Sequence, residues 1–372
     1  MQPNATRSPS SRPAGFSLIE ILVGLAISMF ALLVIVQVMQ VFEGQRRTTS
    51  GSADAQTNGS IALYTIGREL QLAGYPLMPV TDSPLECTTL TTGGVADTTN
   101  RLSPVTIVDG GAAAGASDTI TLRYGNSLSG GIPVQITGAP AGNVVPVGSG
   151  FGCGNGDTSL IINGLACAMS VASPVAATTV TLADTTGAVA NANLSCLGAW
   201  NEITYRANGG NLERCNLPTA IANGGNCNLV PLVPPNVNFV PNVAGIVNIQ
   251  AQYGISAAAN SNQVTQWVDA TGIWDAPAVT VANRNRIKAV RIAVVARNAK
   301  MEPGNVTNPC NPATVAGLCA WAGVPAAGVM LASPAPIIDL SNDATWQRSR
   351  YRVFETIIPL RNVIWATRET LQ

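Results

Sequence analysis

Between Ile21 and Phe42 the chain runs for 22 residues without a charged side chain, ILVGLAISMFALLVIVQVMQVF. No other stretch limits the fold so strongly. As a helix rising about 1.5 Å per residue it spans about 33 Å, the thickness of a bilayer core. Ahead of it lies a polar leader, Met1 to Gly15, with Arg7 and Arg12 and no acid. Basic residues on that flank predict a cytoplasmic N-terminus and an exported remainder. A removed secretory signal is the plain alternative. It fits poorly, because the apolar run exceeds an ordinary h-region and no small-x-small site ends it. One residue remains odd: the acid Glu20 stands at the entrance of the run, just after Gly15-Phe16.

The helix does not stop at the membrane boundary. After the polar EGQRRTTSGSADAQTNGS comes IALYTIGRELQLAGYP, in which Leu63, Ile66, Leu70 and Ala73 recur at helical spacing. That is one amphipathic stripe, to be buried against another element. Gly74 and Pro76 end it. The expected layout is a leader over 1–15, a membrane helix over 16–42, an amphipathic continuation over 43–75 and a separate body over 76–372.

That body reads as β. Gly at 36 and Pro at 24, with only 11% charged residues, favour short strands joined by turns over a helical bundle. DTITLRYG (118–125) alternates, and NEITYRANGGNLERC (201–215) is a hairpin around Asn-Gly-Gly. RIKAVRIAVVARN (286–298) and YRVFETIIPLRN (351–362) are the two best strands. Between Gly125 and Asn201 only Asp157 and Asp184 are charged, and this stretch reads as short strands and loops with no topology to draw. The fold class is therefore α+β: one long N-terminal helix, half membrane-embedded and half packed on a large antiparallel β-rich domain.

Eight cysteines are present without a C-x-x-C pair, and there is no histidine. An even count behind a membrane-targeting segment favours disulfides in an oxidising compartment. Sequence proximity favours Cys153–Cys167, Cys215–Cys227 and Cys310–Cys319, which leaves Cys87 with Cys196. Without histidine, Ser-His-Asp and Cys-His catalysis cannot be built. No metal centre or cofactor is expected. Asp269 and Asp275, in QWVDATGIWDAP, have spacing that matches no calcium loop. Zero net charge gives no bulk attraction to nucleic acid.

The segment GFSLIEILVGLAIS (15–28) resembles the class III signal of type IV prepilins and pseudopilins. The resemblance rests on Gly15, Phe16, Glu20 and the apolar run. An acid at that offset is otherwise disfavoured in a membrane helix by about 2.5–3.5 kcal/mol. GRELQLAGYP (67–76), SDTITLRYGN (117–126), AQYGI (251–255), IKAVRIAVVARN (287–298) and YRVFETIIPLRN look like PilW-type minor pilins of Gram-negative type IV pilus systems. The resemblance implies cleavage between Gly15 and Phe16 by a prepilin peptidase, methylation of the new amine, and Glu20 as partner of such an amine during assembly. It implies a subunit stored in inner-membrane lipid, its headgroup periplasmic, and later drawn into a surface pilus. Its partners would be other minor pilins, the major pilin and a tip adhesin, and it would be no enzyme. A J-type minor pseudopilin of a type II secretion system is the nearest alternative. A signal-anchored periplasmic hydrolase is the alternative of another class, and the missing histidine weighs against it.

Two weaker signals remain. Arg284, Arg286 and Lys288 alternate, as do Arg348, Arg350 and Arg352. Both trios read as solvated strand faces that blunt a sheet edge, in preference to a DNA-capturing patch. If their strands pair antiparallel, the trios fall at opposite ends. The tryptophans, Trp200, Trp267, Trp274, Trp321, Trp346 and Trp365, read as core or half-buried packing in preference to interface anchors.

Overall fold

The computed structural model describes residues 15–77, 87–97, 101–218, 227, 239–275, 279–310, 317–321, 331–332 and 337–366. The chain divides into two units, 1–52 and 53–372. A single helix, α1 (Leu18–Leu72), contributes to both. From Leu18 to Phe42 the helix is apolar on every side: Leu25, Phe30 and Phe42 are 61%, 74% and 65% exposed, as is Phe16 just ahead of it at 82%. In the second unit Ala55, Ala62, Ile66, Leu70 and Ala73 are buried and Leu63 partly so, as the amphipathic stripe predicts.

The buried stripe starts two turns before Leu63, because small residues continue it. Ala55, Gly59 and Ala62 precede Ile66 at helical spacing, and all three are buried. Gly59 lies against the ring of Phe354; a Cβ built there would come within 2.0 Å of it. Glycine is what lets helix and strand approach so closely. The helix ends at Leu72, followed by Gly74 at φ +83°, a left-handed conformation open to glycine.

The second unit is layered sheet. β1 (Val105–Val108) pairs antiparallel with β2 (Thr119–Tyr124). The chain then departs over residues 125–200, where β3 (Thr158–Asn163), β4 (Ala166–Val175) and β5 (Asn193–Gly198) build an eight-stranded sheet of their own with short neighbours. It returns as β6 (Asn201–Asn208), which pairs with β2, Asn201 opposite Tyr124. β7 (Asn211–Asn216) follows through Gly209 and Gly210, both at positive φ, the expected hairpin. β8 (Val240–Ala244) completes a five-stranded sheet in the order β8-β7-β6-β2-β1.

A second five-stranded sheet contains β9 (Ile246–Ser256), β10 (Val264–Val268), β11 (Ile287–Arg297) and β12 (Tyr351–Pro359), with Leu331–Ala332 at one edge. β9 and β12 flank β11, both antiparallel. Every residue of β11 from Ile287 to Ala296 is buried, because both faces are covered. Val290, Ile292, Val294 and Ala296 share a core with Ile66 and Leu70 of α1 and with Ile120, Leu122 and Ile203 of the first sheet. Ala293 and Val295 pack with Ala320, Ile338, Leu340 and Trp346 from the excursion between β11 and β12. Two-sided burial turns an alternating strand into a near-continuous apolar one.

Two disulfide expectations fail. The bridges are Cys87–Cys167, Cys153–Cys196, Cys215–Cys227 and Cys310–Cys319. The last two, each closing a short loop, match the reading by proximity. Cys153–Cys167 and Cys87–Cys196 do not form. Sheet order overrides chain distance here: the strand Thr89–Thr92 runs parallel beside β4, with Leu90 opposite Cys167, which carries Cys87 to it. Cys196 sits on β5 across β3 from Cys167, facing the loop that holds Cys153.

The first basic trio is also corrected. Arg284 and Lys288 are 5% and 0% exposed, and Arg284 belongs to the short helix Val281–Arg284. Loop carbonyls accept their hydrogen bonds: Arg284 Nη2 donates to Cys87 O at 3.1 Å and Lys288 Nζ to Ala259 O at 3.0 Å. Burial pulls the Lys288 ammonium down to about 8. Arg286 donates Nε to Ser256 O and lies over Trp274. In the second trio, Arg350 pairs with Glu302 at 3.0 Å, Arg348 donates to the Glu302 carbonyl and Arg352 is exposed. The trios do lie at opposite ends of the β11–β12 pair, Arg352 opposite Ala296 and Leu360 bonded to Lys288. Trp267, Trp274 and Trp346 are buried and Trp200 and Trp321 partly buried, while the side chain of Trp365 is outside the described residues.

Candidate processing and assembly site

Residues 15–17 belong to no helix or strand, and the helix begins directly after them. Ser17 is its N-cap: the Ser17 carbonyl accepts from the N–H of Glu20 at 3.0 Å and of Ile21 at 3.2 Å. Glu20 answers, its Oε2 accepting from the Ser17 N–H at 3.3 Å. This is the backward half of a capping box, and Ser17-Leu18-Ile19-Glu20 spells its S-x-x-E signature. That signature is the local sequence signal for this helix start. The first-turn carboxylate also meets the positive end of the helix dipole.

The arrangement places three things side by side. The Gly15–Phe16 bond lies outside the helix, free of regular secondary structure. A built Cβ at Gly15 meets no atom within 4 Å, so the glycine answers no packing need of this chain. Glu20 holds its carboxylate at the Ser17 N–H, one residue after the Phe16 nitrogen in the chain. Met1 to Ala14 lie outside the described residues, so Arg7 and Arg12 have no place in this geometry.

The other end of α1 is fixed by polar contacts that periodicity does not reveal. Tyr205 Oη donates to Glu69 Oε2 at 2.7 Å and Arg214 Nη2 to Glu69 Oε1 at 3.0 Å, tying the helix to β6 and β7. Burial, then the nearby Glu69 carboxylate, holds the Tyr205 phenol well above its ordinary range. The Asn362 amide donates to the carbonyls of Gln71, Leu72 and Ala73 at 3.4, 3.2 and 3.1 Å, a side-chain cap on the orphan acceptors of the last turn. Beneath, Asp118 accepts from the N–H groups of Gly110 at 3.0 Å and Ala251 at 2.7 Å, joining the two five-stranded sheets. Burial outweighs those bonds and pushes its carboxyl up to about 7. Asp269, weighed above as a calcium ligand, accepts from the Gln252 amide. Among the described residues no group of three His, Cys, Asp or Glu side chains is placed to hold a metal.

A Gly-Phe junction just ahead of the helix, a capped apolar helix with an acid in its first turn and a β-rich body thus occur together in one chain. Residues 10–36 match the prokaryotic N-terminal methylation motif. Residues 236–362 match the family of the type IV pilus-assembly protein W, over about a third of the chain. In these segments the chain is similar to a type IV pilus-associated minor pilin of the PilW type. The matched third holds the second sheet, its cover and the Asn362 cap. Of the segments that carry the PilW likeness, AQYGI, IKAVRIAVVARN and YRVFETIIPLRN fall inside the match, and GRELQLAGYP and SDTITLRYGN outside it. No curated protein and no solved structure matches the chain. The signal and the apolar helix point to membrane anchoring and pilus association.

Proposed function

We propose that this chain is a minor pilin that takes part in assembling or priming a type IV pilus, at or near its tip, by helix packing and without catalysis. The observation that carries the proposal is α1 itself. Its first half exposes apolar side chains all round behind a capped acid, while its second half is built into the sheets. A helix apolar on every side is suited to lipid or to a helical bundle. Leader removal between Gly15 and Phe16 by a prepilin peptidase frees an amine beside Glu20. In a bundle of such helices an unpaired carboxylate is costly, and a neighbouring subunit's amine relieves it. Other minor pilins and the major pilin are the packing partners, inner-membrane lipid the store, and a tip adhesin the cargo. The headgroup is periplasmic before assembly and at the cell surface after it. The protein W match favours the pilus over a secretion pseudopilus.

The test is the mature N-terminus by mass spectrometry, with pilus fractions in parallel. Cleavage after Gly15 is expected, Gly15→Leu should block it, and Glu20→Ala should leave it intact while emptying the pilus fraction of the subunit. An intact Met1, or cleavage after Phe42, refutes the proposal.

A further inference from the structure

Residues 125–200, outside both matched segments, carry a cavity of about 960 Å³. One wall is the loop after β2, Asn126 to Ser129; the other is Ser149 to Gly154, with Asp157 behind it and Val175 to Ala177 closing one end. The walls are braced against each other. Ser129 Oγ donates to Gly152 O at 3.1 Å and meets the Ser127 hydroxyl at 3.1 Å. The Phe151 N–H donates to Ser149 Oγ, the Gly154 N–H donates to Asp157 Oδ2 at 2.7 Å, and Cys153 is bridged to Cys196 on β5. A groove built this way is preformed, and its volume falls in the range of small-molecule sites.

Its chemistry is narrow. Two large apolar side chains stand at the rim outside any core, Phe151 at 91% and Leu128 at 105% exposure. Residues 125–200 contain no Lys, Arg or Glu, and Asp157 is the one charged lining residue. Without a cation the groove offers no charge-assisted donor to a phosphate, sulfate or carboxylate. It does offer spare polar capacity. Asn126 uses Oδ1 on the Ala199 N–H at 2.6 Å, which leaves its amide donors, and Asp157 uses Oδ2, which leaves Oδ1 as an acceptor. An exposed flat ring beside one amide and one carboxylate suits an uncharged ligand with an apolar ring face and a rim of hydroxyls. We propose that this groove binds a neutral saccharide, its C–H face on Phe151 and its hydroxyls on Asp157 and Asn126. This goes beyond the assembly reading and does not depend on it.

The test uses the full chain in an amine-oxide detergent, which has no sugar headgroup. Lactose, cellobiose and diacetylchitobiose serve as neutral probes, with sialylated lactose as the anionic one, read by saturation-transfer NMR and titration calorimetry. At least one neutral disaccharide is expected to bind, with no gain for the sialylated form. Phe151→Ala should weaken binding about tenfold or more, equivalent to about 1.4 kcal/mol. Because the ring is exposed, that variant should keep the parent melting temperature. If it does not, the equally exposed Leu128→Ser carries the same comparison. No binding by any neutral probe, or binding unchanged in both variants, overturns the proposal.

Discussion

The two halves of α1 are one helix by backbone and two by chemistry. Its first half carries Leu, Ile, Val, Met and Phe almost without interruption and buries none of them within the chain. Its second half is more polar, yet it supplies Ala55, Gly59, Ala62, Ile66 and Leu70 to a sealed core. Apolar content therefore does not measure how much a helix contributes to its own fold. The richer half buries nothing within the chain, and under the proposed function it serves lipid or other subunits, while the poorer half holds the head together by fit.

The same substitution made in each half breaks the comparison most sharply. Leu70→Ala should lower the stability of the head by about 2–5 kcal/mol, the usual cost of emptying a buried leucine site. Leu25→Ala should leave that stability unchanged, since its side chain is 61% exposed. Chemical denaturation in detergent, followed by tryptophan fluorescence, checks both. Equal effects would mean the halves do not differ as described.

A smaller effect separates them by pH. The Asp118 carboxyl titrates at about 7 in the fold against 3.8 ordinarily, raised by burial. A raised acid favours the fold most below about pH 4 and loses that contribution as pH climbs towards 7. The head should melt at a lower temperature at pH 8 than at pH 5. Asp118→Asn should flatten the difference, and the apolar half should keep its helical circular dichroism throughout. Smallest is Asn362→Ala, which uncaps α1 and should cost about 1 kcal/mol. Amide exchange at the end of the helix should rise while its first half is unaffected.

Much of this architecture was legible because periodicity reports burial. The amphipathic stripe, the Asn-Gly-Gly hairpin and the strands now seen as β2, β11 and β12 followed from it directly. What escaped was set by long-range pairing. β2 and β6 are partners separated by 76 residues, and nothing local to Tyr124 or Asn201 announces that they face each other. Because β3 to β5 form their own sheet inside that gap, the nearest cysteines were the wrong partners. Lys288 misled for a related reason. Alternating charge normally marks a wet face, but loops folded over this one supply carbonyls that let an ammonium be buried. At the candidate site Gly15, Phe16 and Glu20 were singled out by the resemblance of residues 15–28 to a prepilin signal. The Glu20 back-bond was readable too, as S-x-x-E. Glu69 with Tyr205 and Arg214, and the Asn362 cap, join residues too distant in sequence for any short motif to capture.

The Asn362 contact has a consequence for the order in which the molecule is made. A ribosome delivers α1 well before Asn362, 290 residues on from Leu72, so an early element is closed by a much later one. β12, which brings Phe354 against Gly59, is delivered just ahead of Asn362. During synthesis the helix must persist without its cap or its closest strand. Of its two halves, only the apolar one makes no use of either. On the proposed function, the membrane would be a holding station for a helix that waits on later residues to fix its other half.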